Sequence, residues 1–238
     1  MVGAKVSVII PFYNCPYVIE ALDSVLNQTY DNIEIILVND GSTIHQEKIN
    51  PYLSKINYIE KANGGTGSAL NAGMEVATGD YFAWLSSDDM FRPEKIEKQL
   101  RCMEENQSFI SYTNYSLINE LSEILHENVG IHYEDRNVFL RHFQKGCHIN
   151  GCTIMFKKEV YHTIGAFNEK YKYTQDYEYW LRIIQQHDFT YLNESLTLYR
   201  VHPDMGSKKH GRAQMAEIHE LRTKYKRILR ELERGELG

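Results

Sequence analysis

No stretch of this sequence is apolar for the roughly 20 residues that a membrane-spanning helix needs. Its first residues lack the basic-then-apolar order of a secretory leader. Positive charge is not in excess: 26 Lys and Arg face 32 Asp and Glu, a net charge of −6, which argues against a general nucleic-acid binder. Sulfur is scarce. The four cysteines, Cys15, Cys102, Cys147 and Cys152, form no Cys-x-x-Cys pair. A chain of 238 residues can close a core without disulfide staples, so reduced thiols are expected. Internal repeats and low-complexity linkers are missing as well. Together these absences point to a soluble, cytoplasmic protein.

What is present suffices for a sizeable core, since 42% of the residues are hydrophobic. Val6 to Ile10 reads as a first buried strand ended by Pro11, and Phe12-Tyr13-Asn14-Cys15-Pro16 as a turn. Ile19, Leu22, Val25 and Leu26 mark the apolar face of a helix. A second strand, Ile33 to Val38, runs into Asn39-Asp40-Gly41-Ser42, and a polar helix follows to about Lys55. Ile56 to Ile59 is a third strand. The run Asn63-Gly64-Gly65-Thr66-Gly67-Ser68 precedes a helix from Ser68 to Ala77. It lacks the P-loop lysine and does not complete Gly-x-Gly-x-x-Gly, so its glycines read as turn-formers near a ligand. Tyr81 to Leu85 is an almost wholly apolar fourth strand, as suits one covered on both faces. It ends in Ser86-Ser87-Asp88-Asp89, and Pro93 marks the first turn of the next helix. This alternation predicts a parallel, doubly wound α/β sheet.

Further along, Phe109 to Ile118 alternates like a strand. Leu121 to Asp135 has no clean period and reads as an irregular or mobile loop over the site. Val138 to Phe143 reads as a helix, Ile149 to Phe156 as a strand, and Lys158 to Ile164 as a short helix. Asp176 to His187 is expected to be a helix with Tyr179, Trp180, Ile183 and Ile184 inward, and Leu196 to Pro203 a late strand running into a loop. A long helix begins near Gly211, with a narrow seam of Ile218, Leu221, Tyr225, Ile228 and Leu232. Packing on the parent domain is the expected cover for that seam; a homodimer and membrane docking are the alternatives.

Ligands of open α/β sheets bind at the carboxyl ends of the strands. Asp40 follows strand two, Asp88 and Asp89 follow strand four, and Asp176 opens the late helix. Strands of one doubly wound sheet end on one edge, so Asp40 and Asp88 should share a side. Adjacent carboxylates repel unless a cation or hydrogen-bond donors offset them, and hard oxygen ligands suit Mg²⁺ or Mn²⁺. A plain helix N-cap is the competing reading of the same Ser and Asp residues. His202 follows another strand, placed either to complete a metal shell or to sit partly buried in a hydrogen bond.

The combination Val8-Ile9-Ile10-Pro11-Phe12-Tyr13-Asn14, then Val38-Asn39-Asp40-Gly41-Ser42, then Leu85-Ser86-Ser87-Asp88-Asp89 with Pro93 closely resembles the family 2 glycosyltransferases of the GT-A fold. Asn71-Ala72-Gly73, Thr78-Gly79-Asp80, Gly165-Ala166-Phe167, Gln175-Asp176-Tyr177-Glu178-Tyr179-Trp180-Leu181-Arg182 and Tyr199-Arg200-Val201-His202-Pro203 also look like this family. The resemblance runs in one order over roughly residues 4 to 207. It implies a Rossmann-like GT-A domain over 1–207, with a mostly parallel sheet. Residues 1–107 would be the nucleotide-sugar half, 108–207 the acceptor-side half, and 208–238 a C-terminal helical extension. The implied activity is an inverting, metal-dependent transfer from a nucleoside-diphosphate sugar to an acceptor hydroxyl, with Mn²⁺ or Mg²⁺. A saccharide or lipid-linked acceptor, cell-surface polysaccharide or glycolipid synthesis, and peripheral contact with the inner face of a membrane belong to the same implication.

By that resemblance Pro11, Tyr13, Asn14 and Asp40 line the nucleotide pocket, with Asp40 accepting from the base. Asn71, Ser86 and Ser87 join the donor contacts. Asp88 is the metal carboxylate of the family's Asp-x-Asp element, and His202 is a further metal or diphosphate contact. Asp176 falls where the family keeps its general base; Asp89, Gly151 and Trp180 fall on the acceptor side. A helix N-terminus lowers a carboxylate pKa, so Asp176 is expected to stay ionised, with Glu178 its nearest rival on another face. Two positions depart from the pattern. Ser86 stands where the family often has the first Asp, and Gln175 where an acidic residue often precedes the base. Asp88, helped by Asp89 or His202, is then left to hold the ion. The family's Gln-x-x-Arg-Trp signature of processive synthases is absent, which argues against chain extrusion. A nucleotidyltransferase would carry a Gly-rich, Arg-containing turn where Phe12 to Pro16 stands, and a non-catalytic sugar-binding module would lose Asp176.

Overall fold

The apolar runs of the N-terminal half become buried parallel strands. The computed structural model describes residues 3–133 and 135–236, without the Ser207 side chain. Residues 1–2 and 237–238 of the assigned ranges, and Glu134 of the 121–135 loop, lie outside the described residues. The strands are β1 (Val6–Phe12), β2 (Ile33–Asp40), β3 (Asn57–Lys61), β4 (Tyr81–Trp84), β5 (Met90–Phe91), β6 (Ile110–Ile118), β7 (Ile124–His126), β8 (Met155–Lys157) and β9 (Phe189–Arg200). The helices are α1 (Val18–Leu26), α2 (Thr66–Val76), α3 (Lys95–Glu105), α4 (Arg136–Phe143), α5 (Lys158–Ile164), α6 (Gln175–Ile183), α7 (Gly206–Lys209) and α8 (Gly211–Glu233).

All nine strands join one sheet in the order β3-β2-β1-β4-β8-β6-β9-β5, with β7 paired to β6. The first four are parallel, as the strand–helix alternation predicts. Beyond β4 the sheet is mixed: β8 runs antiparallel to β4 and β6, β9 runs parallel to β6, and β5 antiparallel to β9. Side chains alternate across it. Val6, Val8 and Ile10 of β1 face α1 and α3, while Ile9 faces α2 and the cluster that holds α4, α5, α6 and α8.

The C-terminal helix closes onto this second face. Leu221, Tyr225, Leu229 and Leu232 are buried there, with Ile218 and Ile228 at the margin. The seam is therefore covered by its own domain, chiefly against α4.

Other expectations are corrected. Ile149 to Phe156 is not one strand. Its start is a 3₁₀ turn, Gly151–Thr153, because the Asn150 side chain accepts the Cys152 N–H at 2.9 Å. The polar helix before Lys55 is a 3₁₀ turn, Gln46–Tyr52, with Pro51 inside, which cannot donate to an α-helical ladder. Part of the 121–135 loop is ordered as β7. The late strand begins at Phe189, seven residues earlier than the apolar run suggests, because β6 offers it a parallel edge.

Candidate functional site

The carboxyl ends of β1, β2 and β4, the end of β9 and the start of α6 all open into one cleft of about 1370 Å³. That exceeds the usual small-molecule pocket and leaves room for two substrates. Pro11, Tyr13, Asn14, Asp40, Ser86, Ser87, Asp88, Gly151, Asp176 and His202 line it. The strand ends thus bring together residues that lie far apart in sequence.

One wall is built on β1 and β2. Asn14 holds a left-handed backbone (φ 51°), and its side-chain oxygen accepts the N–H groups of Thr43 and Ile44. Ser42 Oγ accepts the Asn14 N–H at 3.0 Å, so the two loops are tied edge to edge. Gly41 has φ 77°, and a Cβ there would lie 2.8 Å from the Asn63 nitrogen, so only glycine fits this turn. Tyr13 leaves its ring exposed beside this wall. Asp40 is buried, and its carboxylate accepts from Lys61 Nζ (2.8 Å), the Gly64 N–H (2.9 Å) and the Gly65 N–H (2.7 Å). Three of its roughly four acceptor positions are filled, so Asp40 chiefly shapes the Gly-rich loop.

The floor is the β4 end. Asp88 Oδ2 lies 3.1 Å from His202 Nε2, the Asp88 side chain partly exposed and His202 nearly buried. The ring of Tyr17 packs edge-on to His202 at 5.4 Å. Beneath them, Arg200 is wholly buried and bonds through all three guanidinium nitrogens. It donates to the Asp88 carbonyl (2.8 Å), the Asn119 and Glu120 carbonyls, Ser122 Oγ and Glu20 Oε2 (2.7 Å), and it stacks over Tyr17 at 4.2 Å. The Arg200 N–H donates to Asp89 Oδ1 at 2.8 Å.

Asp89 is accordingly not an acceptor-side residue. It points away from the cleft into the interior, where burial raises its pKa well above the carboxylate range, followed by the charge of Asp88. Trp180 is fully buried in the core and does not reach the cleft. Asn71 is a structural clamp: its amide exchanges two hydrogen bonds with the Phe167 backbone (2.8 and 3.0 Å) and sits outside the cleft. Gly151 does line the cleft, and a Cβ there would fall 2.1 Å from the Trp84 ring, which leaves glycine as the residue that fits.

Asp176 is the second residue of α6 and accepts its neighbour Tyr177's N–H at 2.7 Å. Helix-end donors lower its pKa, but burial outweighs them and raises it from 3.8 to about 6. The direction is opposite to the expectation, yet the group still ionises at neutral pH. Its rival Glu178 is buried against Arg182 (3.0 Å) and the Tyr225 hydroxyl (3.1 Å), away from the cleft. Three cysteines, Cys15, Cys147 and Cys152, also reach the cleft wall. Burial pushes the Cys15 thiol up to about 11 and the other two well above their ordinary value, so none is a ready nucleophile.

Among the described residues, no group of three or more His, Cys, Asp or Glu side chains could hold a metal ion alone. Asp88 and His202 supply one carboxylate and one imidazole from two strand ends. That pair would fit a divalent ion only with further ligands from outside the chain. Lys172, Tyr173, His210 and Gln214 also line the cleft. No local motif marks them, since they come from the loop before α6, from α8 and from the residue before it.

The sequence matches the family model described as glycosyl transferase family 2 over residues 7–165. An uncharacterized glycosyltransferase of Rickettsia felis is 42% identical over 86% of this chain and 35% of its own length. The putative teichuronic acid biosynthesis glycosyltransferase TuaG of Bacillus subtilis is 34% identical over 82% of this chain and 79% of its own. The chain spans between 31% and 64% of the length of the rickettsial relatives. Among solved structures, S. aureus TarS 1-349 in complex with UDP-GlcNAc aligns with a TM-score of 0.68 at 20% identity, covering 83% of this chain and 59% of that one. That likeness identifies the fold as the one TarS has.

Proposed function

Since the chain belongs to glycosyl transferase family 2, we propose that its cleft moves a sugar from a nucleoside-diphosphate sugar to an acceptor hydroxyl, with inversion at the anomeric carbon. The observation that carries this reading is the meeting of Asp176 and the Asp88–His202 pair on one cleft large enough for donor and acceptor. Asp176, with a pKa of about 6, takes the acceptor's hydroxyl proton. The freed oxygen pair forms the new bond to the anomeric carbon as the bond to the diphosphate breaks, and the leaving electron pair stays on the phosphate oxygen. A divalent ion held by Asp88 and His202 would offset the charge that gathers on that leaving group. Tyr13, Asn14 and Asp40 form the wall assigned to the nucleotide. The thiol chemistry of the wall offers no competing nucleophile, which favours direct displacement.

Uridine is the first base to test, because TarS was solved with UDP and UDP-GlcNAc. The relative described as acting in teichuronic acid biosynthesis makes a cell-surface saccharide, free or lipid-linked, the acceptor class we assign. A screen of uridine, guanosine and thymidine diphosphate sugars by nucleotide release, with and without Mn²⁺, tests the reading. Metal-dependent release from one of them is expected. No release from any donor would reject the transferase reading, and a product that keeps the donor's anomeric configuration by NMR would reject single displacement.

A further inference from the structure

Helix α6 begins without a cap of its own: Thr174, the residue before it, makes no side-chain bond to the first helical N–H groups. Its hydroxyl donates instead to Glu217 Oε2 at 2.8 Å. The same carboxylate accepts the backbone N–H groups of Lys172 and Tyr173, each at 3.0 Å. Glu217 belongs to α8, so one side chain of the C-terminal helix holds three successive residues just ahead of Asp176. Bonds to an ionised carboxylate are among the stronger hydrogen bonds. Residues at the start of α8 reinforce the grip: His210, just before the helix, stacks on Tyr173 at 4.6 Å, and Gln214 donates to the Tyr173 carbonyl at 3.4 Å. The helix that carries Glu217 is itself fixed, because Leu221, Tyr225, Leu229 and Leu232 lie in the core.

We propose that Glu217 is a positioning residue for Asp176, holding residues 172–174 so that the Asp176 carboxylate meets the acceptor hydroxyl. The proposal rests on Asp176 being the base. It makes the first turns of α8 part of the acceptor wall and not an appendage. Positioning matters because a displacement of about 1 Å at a reacting group can lower a rate about a hundredfold. Burial chiefly raises the Asp176 pKa and the Glu217 charge adds a smaller push in the same direction, while the Asp176 charge raises the pKa of the Cys147 thiol in the loop after α4.

The test compares Glu217→Ala and Glu217→Gln with Glu220→Gln in the full chain. Glu220 sits on the same helix but bonds only the side chains of Lys170 and Tyr171. Glu217→Ala should lower kcat about 10- to 100-fold, leaving donor KM and UDP affinity within about twofold. Glu217→Gln keeps one acceptor oxygen and should recover part of the loss, and Glu220→Gln should behave as wild type. Two readouts need no substrate. In Glu217→Ala, the amide protons of Lys172 and Tyr173 should exchange faster, and the Asp176 carboxyl, followed by carbon NMR, should titrate at lower pH. Wild-type exchange and titration in that variant would overturn the proposal, as would an equal loss of kcat in Glu220→Gln or a UDP affinity that falls as far as kcat. Absence of nucleotide release from the wild-type chain would instead refute the transferase reading, and the exchange and titration results would still judge Glu217.

Discussion

Replacing Asp176 with asparagine should stabilise the protein while it removes the activity. The wild-type carboxylate titrates at about 6 in the folded chain, against 3.8 ordinarily, because burial disfavours its charge. At about 1.36 kcal/mol per tenfold change in proton affinity, keeping it ionised at pH 7 costs the fold about 3 kcal/mol. The asparagine has the same shape and no charge. It accepts the Tyr177 N–H less strongly than the carboxylate does at 2.7 Å, which returns about 1 kcal/mol. A net gain of about 2 kcal/mol remains, or roughly 4–8 °C in Tm for a chain of this size. The pH dependence follows from linkage. Between about pH 4 and pH 6 the folded wild type keeps a proton that the unfolded chain has lost. Its stability is therefore fullest below pH 4, falls as pH rises to 6, and is flat above. The variant lacks that proton, so its advantage opens across the same window. Differential scanning calorimetry at pH 4, 5, 6 and 7 on both proteins measures it. An advantage as large at pH 4 as at pH 7, or none at pH 7, would refute the burial argument. Turnover in the variant should fall about a hundredfold or more, as for a lost general base.

Asp88→Asn should abolish the Mn²⁺-dependent part of UDP binding in calorimetry with an unchanged circular dichroism spectrum; an unaltered Mn²⁺ effect would show that Asp88 does not hold the ion. Asp40→Ala removes the acceptor for Lys61 Nζ and the Gly64 and Gly65 N–H groups, so UDP affinity should drop about tenfold or more both with and without Mn²⁺. A drop seen only with metal present would place Asp40 at the ion. A chain cut after Ser207 strips Leu221, Tyr225, Leu229 and Leu232 from the core and should aggregate in light scattering. A soluble, active monomer from that cut would refute the packing role of α8.

The parallel half of the fold is legible because β1, β2 and β4 are largely buried on both faces and read as predominantly apolar runs, broken only by Ser7 in β1 and by Glu34 and the terminal Asn39-Asp40 in β2. The mixed half is harder. Ile149 to Phe156 is as apolar as a strand, but the Asn150 side chain and the Trp84 ring against Gly151 bend its start into a turn. Tertiary contacts, absent from any window of sequence, decide that. The candidate site divides the same way. Strand ends reveal Asp40 and Asp88, since the parallel topology puts them on one edge, whereas His202 joins them through β9 in the mixed half of the sheet. They do not reveal that Asp88 lines the cleft while Asp89 is buried, because both lie in the turn between β4 and β5, where no strand alternation fixes which way each points. Burial against helix-end stabilisation at Asp176 is likewise a contest that only the packed structure decides. Lys172, Tyr173 and Glu217 carry no motif, and they matter through what they touch across the chain.

Arg200 has a consequence for how the protein comes into being. Its guanidinium reaches the Asp88 carbonyl across 112 positions of sequence and Glu20 across 180. A ribosome adding about 5–20 residues per second delivers Arg200 roughly 6–20 s after Asp88. For that interval the Asp88 carbonyl and the Asp89 carboxylate lack the donors that anchor them, and β9 is not there to close the sheet beside β6. This edge of the cleft is therefore completed only after the parallel strands and their helices have their own partners. Substitutions at Arg200 should act mainly on the final closure of the chain, speeding unfolding more than they slow the collapse that precedes it.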